Sequence, residues 1–408
     1  MIVRTSYKNI ALLFFLYLSQ GLPFGFQATA LPLFMRENNQ SLASIGYAGI
    51  LALPWMLKAL WAPLVDRFYS EKIGKRKTWI IPLQMGLVLL IFIASIFASV
   101  EHLSILYVLI FLMNLFAATQ DIAVDGLAVD ILADNQLGAG NAAQVIGFKT
   151  GMILSGGLLV WLTSYIGWKG LFHTMGVFAS IPLIFLIFYK EGDGPEISKI
   201  KQSLKELLSI TISLFKRKSI IWFLVFIMTY KSGEVIMDLM FKPFLMDSGF
   251  TASNIGLWFG TWGMAASIAG TLSGGLLGSR MSIYRLLGYA VVLRAIPLTF
   301  QWGLTYTQPE AWQIILLSLG EHYFGGLLTI SLFAYMMSRV DKRMGATHYT
   351  IFASLEVFGK MPFSWFSGLL AENLGYSLAF ALAMVLTIVV IFIYPFIEDK
   401  DNNKVKVS

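Results

Sequence analysis

Twelve apolar runs of spanning length follow one another along the chain. They lie at 9–35, 42–65, 78–99, 104–129, 141–165 and 168–189, then at 219–246, 254–278, 285–304, 311–338, 346–371 and 376–396. Each is long and lacks strict alternation, which predicts membrane-crossing α-helices and argues against barrel strands. Residues 190–218 form the one long polar stretch, so the pattern divides into a six-span bundle (1–189), a linker, a second six-span bundle (219–396) and a tail (397–408). Within the linker, Ile197, Ile200, Leu204, Leu207, Leu208 and Thr211 recur at helical spacing beside Lys199, Lys201 and Lys205. That spacing suits an amphipathic helix at a membrane surface, and a solvated linker is the alternative. The N-terminus resembles a signal peptide, with Arg4 and Lys8 before an apolar run and Ala28-Thr29-Ala30 placed like a cleavage site. The run is too long for a signal and carries Gln20 and Gln27, so it is read as an uncleaved first span.

Composition narrows the class. Of 408 residues, 57% are hydrophobic and 13% charged, against about 25% charged in soluble domains. Twelve spans of about 20 residues need roughly 240, which leaves no room for a soluble catalytic domain. There is no cysteine, so disulfides, thiolate metal sites and cysteine nucleophiles are excluded. No His-Glu-x-x-His, Walker loop or Gly-x-Ser-x-Gly occurs, and the chain is read as neither an enzyme nor an ATP-driven pump, with no cofactor and no metal. A sensor that binds a solute without moving it is the remaining non-transporting alternative. The net charge of +7 would suggest nucleic acid in a soluble protein; here it is assigned to basic loops. With both termini inside, 22 of the 30 Lys and Arg fall on the cytoplasmic side, 2 (Arg36 and Lys169) on the other, and 6 within spans. This bias predicts cytoplasmic termini.

The halves also echo each other at an offset near 210 residues. Tyr17-Leu-Ser19 pairs with Tyr230-Lys-Ser232, Pro32 with Pro243, and Ala43-Ser-Ile45-Gly46 with Ser253-Asn-Ile255-Gly256. Two parallel six-helix halves resemble the plan of the major facilitator superfamily. Ala62-Pro63-Leu64-Val65-Asp66-Arg67, followed by Gly74-Lys75-Arg76-Lys77, resembles that superfamily's loop motif between the second and third helices, with stretched spacing. Its physical reading is a cytoplasmic gate formed by Asp66 and Arg67, since an aspartate at a helix end accepts from a neighbouring helix or an arginine. Simple positive-inside anchoring explains Lys75, Arg76 and Lys77 but not Asp66.

Tyr17-Leu-Ser-Gln20-Gly21-Leu22-Pro23, Leu53-Pro54-Trp55 with Lys58-Ala-Leu-Trp61, Gln120-Asp121-Ile-Ala-Val-Asp125-Gly126 and Trp79-Ile-Ile-Pro82 resemble a narrower branch. It holds the AmpG-type muropeptide permeases, the acetyl-coenzyme A transporters and bacterial siderophore permeases of the rhizobactin/pyochelin type, and the chain looks most like the last. The resemblance implies a monomeric, proton-coupled secondary transporter of the bacterial inner membrane. It would import a polar small molecule, a ferric siderophore first, with muropeptide or acetyl-coenzyme A as alternatives.

The charges inside the spans carry the functional reading. Lys58, Lys149, Lys231, Lys242, Arg294 and Lys360 face Asp121, Asp125, Glu234, Asp238, Glu321 and Glu356. At about 2.5–3.5 kcal/mol each, exposing all twelve to lipid would cost on the order of 30–40 kcal/mol. They must pair or face water. Asp121 and Asp125 share a helix face at i,i+4, as do Glu356 and Lys360, while Lys231, Glu234, Asp238 and Lys242 form one stripe. The resemblance places spans 1, 4, 7 and 10 around a central path, which nominates Gln20, Gln27, Lys58, Asp121, Lys231, Glu234, Asp238 and Glu321 as its solute- or proton-binding lining. Asp125, nearer a helix end, joins Asp66 and Arg67 as a gate residue. Lys58 is read as meeting an anionic solute or an acid of span 11. Trp55, Trp258, Phe259 and Trp262 are further lining candidates. Gly151, Gly156 and Gly157 on span 5 and Gly263, Gly270, Gly274 and Gly275 on span 8 suit a sliding interface or ordinary tight packing.

Overall fold

Proline and glycine decide which spans run straight and which break. The computed structural model describes residues 2–131, 137–189, 218–278, 280–339 and 345–397; the amphipathic segment 197–215 and the tail lie outside the described residues. Helix α1 (Ile2–Gly25) continues through a π-turn at Phe26–Ala30 into α2 (Leu31–Glu37), where Pro32 follows the π-turn directly and, lacking an N–H, interrupts the hydrogen-bond ladder there. The second span is instead a series of pieces: α3 (Leu42–Tyr47), a 3-10 turn at Ala48–Ala52, α4 (Leu53–Leu57), a 3-10 turn at Lys58–Leu60 and α5 (Ala62–Arg67). Pro54 and Pro63 are the cause, because each lacks an N–H and disfavours helical dihedrals for its predecessor. Lys58 consequently begins a tight turn between two short helices.

The next spans are α6 (Lys77–Ile96), α7 (Leu103–Ile131), and α8 (Leu137–Ile153) joined by a π-turn at Leu154–Leu158 to α9 (Leu159–Phe188). In the second half come α10 (Lys218–Thr229), α11 (Ser232–Asp247), α12 (Ala252–Ile255), a π-helical stretch Gly256–Gly263, α13 (Met264–Gly278), α14 (Ile283–Leu304), α15 (Ala311–Arg339) and α16 (Gly345–Ile393). Eight segments among the described residues are long and apolar enough to cross a membrane. Two of these, Ala143–Phe188 and Phe352–Ile397, are each a pair of helices meeting at a glycine with positive φ, Gly167 (65°) and Gly375 (76°). Only glycine takes that conformation without a Cβ penalty. Counting both pairs, and adding 42–67 and 252–278, gives the twelve spans of an all-α polytopic membrane protein.

The chain forms two compact units: Met1–Gln40 with Ala48–Ile197 and Leu245–Ala265, and Ser41–Tyr47 with Ser198–Phe244 and Ala266–Ser408. Each six-span half thus lends a short segment to the other's unit. In the first, Leu12, Leu13 and Leu16 pack with Ile80, Val124 and Leu127, and α1 lies backbone to backbone on α8. A Cβ on Gly21 would stand 2.1 Å from the Phe148 carbonyl oxygen, and one on Gly151 2.2 Å from that of Leu18. In the second, Phe223, Phe226, Leu287, Leu328 and Met336 form the core.

The glycines for which a sliding interface or ordinary tight packing was expected are divided between different contacts. Gly151 serves the α1–α8 contact, and Gly270 and Gly274 lie against Tyr323, Leu327 and Ile330 of α15. Gly156 and Gly157 do meet Gly260 and Thr261, within the first unit.

Candidate functional site

In the first unit, helix α7 sets the geometry by presenting Asn114, Asp121, Asp125 and Asp130 along its length. Lys58, delivered by the proline-broken second span, forms an ion pair with the Asp121 carboxylate and lies 5.4 Å from the Trp55 ring centre. The protein partner of Lys58 is thus an aspartate 63 positions away rather than the acid of span 11 that the sequence reading offered. One turn along, Asp125 accepts from the Tyr17 hydroxyl at 2.6 Å and the Gln144 amide at 3.2 Å.

Towards the other end of α7, the Asn114 amide donates to Gln27 at 2.6 Å and accepts from the Trp55 indole at 3.0 Å. Phe24, Trp55 and Phe148 meet edge-on or tilted at 5.5–6.1 Å. Half-buried Phe24, Gln27, Trp55, Lys58 and Phe148 therefore share one neighbourhood, combining an aromatic face, neutral amides and a charged pair. Gln20 does not belong to it. Its amide donates to Gln120 at 3.3 Å, Gln120 donates to Gln84, and Gln84 accepts from Ser19 and donates to the Ala179 carbonyl. All four side chains are fully enclosed, so Gln20 is a buried network residue rather than lining. The network satisfies the Gln20 Nε2, as an amide sealed from water needs, while its Oε1 is buried without a hydrogen-bond partner.

The gate expected at Asp66 and Arg67 rests on two side chains. That of Asp66 lies outside the described residues, and Arg67 is exposed beside the Phe68 ring. Arg76, read from sequence as an anchoring charge, is instead 7% exposed and bonds Asp130 through Nε at 2.7 Å. Its guanidinium carbon would lie 2.3 Å from any Cβ at position 126, so Gly126 is what admits it. Remote from this end of the unit, Arg36 closes a two-pronged bridge onto Asp247, with Nε to Oδ1 at 2.6 Å.

In the second unit, Arg294 organises the charges. Buried at 3% exposure, it donates to Glu234 at 3.0 Å and to Glu321 at 2.6 Å, with a further bond to the Glu321 carbonyl. Gln301 completes the shell of Glu321 at 3.3 Å, and His322 bonds the Ser318 carbonyl at 2.9 Å. Glu321, 3% exposed, is thus a clamped structural acid rather than open lining. Lys231 sits at the break between α10 and α11, 3.5 Å from Glu234 and 3.1 Å from the Thr329 hydroxyl. Lys242 bonds Asp238 at 2.7 Å on the same helix, and Glu356 takes Lys360 and the Tyr230 hydroxyl, the latter at 2.6 Å. The same-helix pairs follow the expected i,i+3 and i,i+4 stripe. The Arg294 bonds to Glu234 and Glu321 do not, and their only signal in the sequence is a lone mid-span arginine that must find a partner.

Of the other aromatic candidates, Trp258 and Phe259 are buried and Trp262 is 41% exposed. A cavity of about 390 Å³ between α14 and α15, walled by Ile296, Phe300, Trp312, Leu316 and Phe324, has no charged side chain in its lining and takes no part in these networks.

Residues 9–166 match the family model described as acetyl-coenzyme A transporter 1. The chain is 28% identical over 369 residues to the anhydromuropeptide permease of Escherichia coli (strain K12), covering 90% of this chain and 75% of that protein. The crystal structure of the nucleoside transporter NupG superposes with a TM-score of 0.73 at 16% identity, covering 96% of this chain and 98% of that one. The D-xylose-proton symporter does so with 0.72 at 10%, covering 97% and 98%. The named relatives are transporters rather than enzymes, and none is a siderophore permease. The protein is a multi-pass membrane protein with the fold of the major facilitator transporters.

Proposed function

We propose that this membrane transporter imports a muropeptide across the bacterial inner membrane by proton-coupled alternating access, with both termini in the cytoplasm. The observation that carries the reading is the first unit's composite face. Trp55, Phe24 and Phe148 offer ring surfaces of the kind that stack on a sugar's apolar face, half-buried Gln27 supplies an amide held in place by the enclosed Asn114, and the Lys58–Asp121 pair offers both charges to a peptide that carries carboxylates and an amine. A muropeptide joins these chemistries, sugar rings, amides, carboxylates and an amine, in one molecule. Likeness to the anhydromuropeptide permease over nine-tenths of the chain supports the same choice. The match of residues 9–166 to the acetyl-coenzyme A transporter model favours acetyl-coenzyme A as the second reading.

Competitive uptake separates them. Cells lacking their own muropeptide importer and expressing this chain are expected to take up labelled anhydromuropeptide, with excess unlabelled muropeptide competing and acetyl-coenzyme A or ferric siderophore not. Competition by acetyl-coenzyme A alone would install the second reading.

A further inference from the structure

The two units count their buried charges differently. In the second, Glu234, Asp238, Glu321 and Glu356 each lie within ion-pair distance of Lys231, Lys242, Arg294 or Lys360. In the first, Asp121 and Asp125 stand one turn apart on α7, and the ammonium of Lys58 rests on Asp121. Asp125 is left with two neutral donors, the Tyr17 hydroxyl from α1 and the Gln144 amide from α8, both on Oδ1. The charged groups around it include Asp121 on its own helix and Lys58, which bonds Asp121 from the second span. Lys149 lies five residues past Gln144 on α8. Arg76, the next cation along α7, is held by Asp130. Two carboxylates a turn apart with one shared cation repel unless one is neutral, and a proton is the smallest species that neutralises it.

Resting on the proton-coupled reading above, we propose that Asp125 is the carboxyl that takes up and returns the coupled proton. With the proton on its Oδ2, Asp125 is a neutral acid and Lys58 stays on Asp121. When the proton leaves to the cytoplasm, Lys58 is shared between two carboxylates and the Lys58–Asp121 contact loosens. Asp125 immediately precedes Gly126, on which the Arg76 guanidinium lies, so the change reaches the Arg76–Asp130 bridge within one turn of α7. Glu234 and Glu321, tied to a permanently charged arginine, have no such freedom.

Two measurements test the assignment. In proteoliposomes, D125N is expected to lose uphill accumulation of labelled anhydromuropeptide on a pH gradient while still exchanging internal for external solute at equal pH. Accumulation by D125N at the wild-type ratio would overturn the proposal. The second needs no transport: a pH-step difference infrared spectrum of the purified wild-type protein should contain a protonated-carboxyl band that D125N removes and Y17F shifts. A spectrum unchanged by D125N overturns the proposal even if D125N fails to transport. A wild-type protein that carries no muropeptide, yet shows the Asp125 band, defeats the substrate reading and leaves the protonation site standing.

Discussion

The two units solve one problem, charge inside an apolar helix bundle, with different degrees of closure. Each sets a tyrosine hydroxyl 2.6 Å from a carboxylate, Tyr17 on Asp125 and Tyr230 on Glu356, and the two tyrosines occupy matching positions in the sequence echo. Beyond that the units part. Arg294 binds acids from two other helices and is almost wholly enclosed, whereas Lys58 holds one acid and keeps 32% of its side chain exposed. A planar guanidinium with several fixed donors suits a permanent junction, and a single ammonium on a flexible stem suits a partner that lets go. On the proposed reading, the second unit is the fixed frame and the first carries the moving chemistry.

Removing the frame should have the largest effect. R294M leaves Glu234 and Glu321 buried without a cation, a loss of about 3–5 kcal/mol for a broken buried pair. It is expected to abolish folded protein, measured as abundance in membranes and thermal unfolding in detergent, with E234Q/E321Q/R294M recovering part of the loss. Survival of R294M at wild-type stability would erase the contrast between the units. K58M comes next: uptake should fall by about tenfold or more, an effect of roughly 1.4 kcal/mol, with a smaller change in stability than R294M because the side chain is partly exposed. Third, W55A should raise the KM for muropeptide a few-fold, since an aromatic contact contributes about 0.5–1.5 kcal/mol, and leave kcat nearly unchanged. The smallest effect is expected at the half-exposed Arg36–Asp247 bridge, where such pairs contribute about 0.2–1 kcal/mol. D247N should alter the labelling rate of a single cysteine placed at Gln27 by no more than a few-fold. The chain's lack of cysteine makes that measurement free of background.

What the sequence made legible was whatever depends on local spacing. Span positions follow from apolar length, and the Asp238–Lys242 and Glu356–Lys360 pairs follow from helical periodicity. The breaks of the second span had a signal in Pro54 and Pro63 that hydropathy alone overrode. For long-range partnerships a mid-span charge signals only that a partner exists, not which one: Lys58 meets Asp121, and Arg294 meets Glu234, across 63 and 60 positions. No periodicity reports which helices are neighbours. For the same reason Gln20 looked like lining when it is sealed among Gln84, Gln120 and Ser19. Arg76 looked like a surface anchor because its burial depends on the space left open at Gly126.

The most direct test of transport itself uses the purified wild-type protein in sealed liposomes. With an alkaline interior, labelled anhydromuropeptide should concentrate inside above its external level and drain back to equality when an ionophore removes the pH difference. Entry that stops at equality with the gradient intact, or no entry at all, would contradict a proton-coupled muropeptide importer.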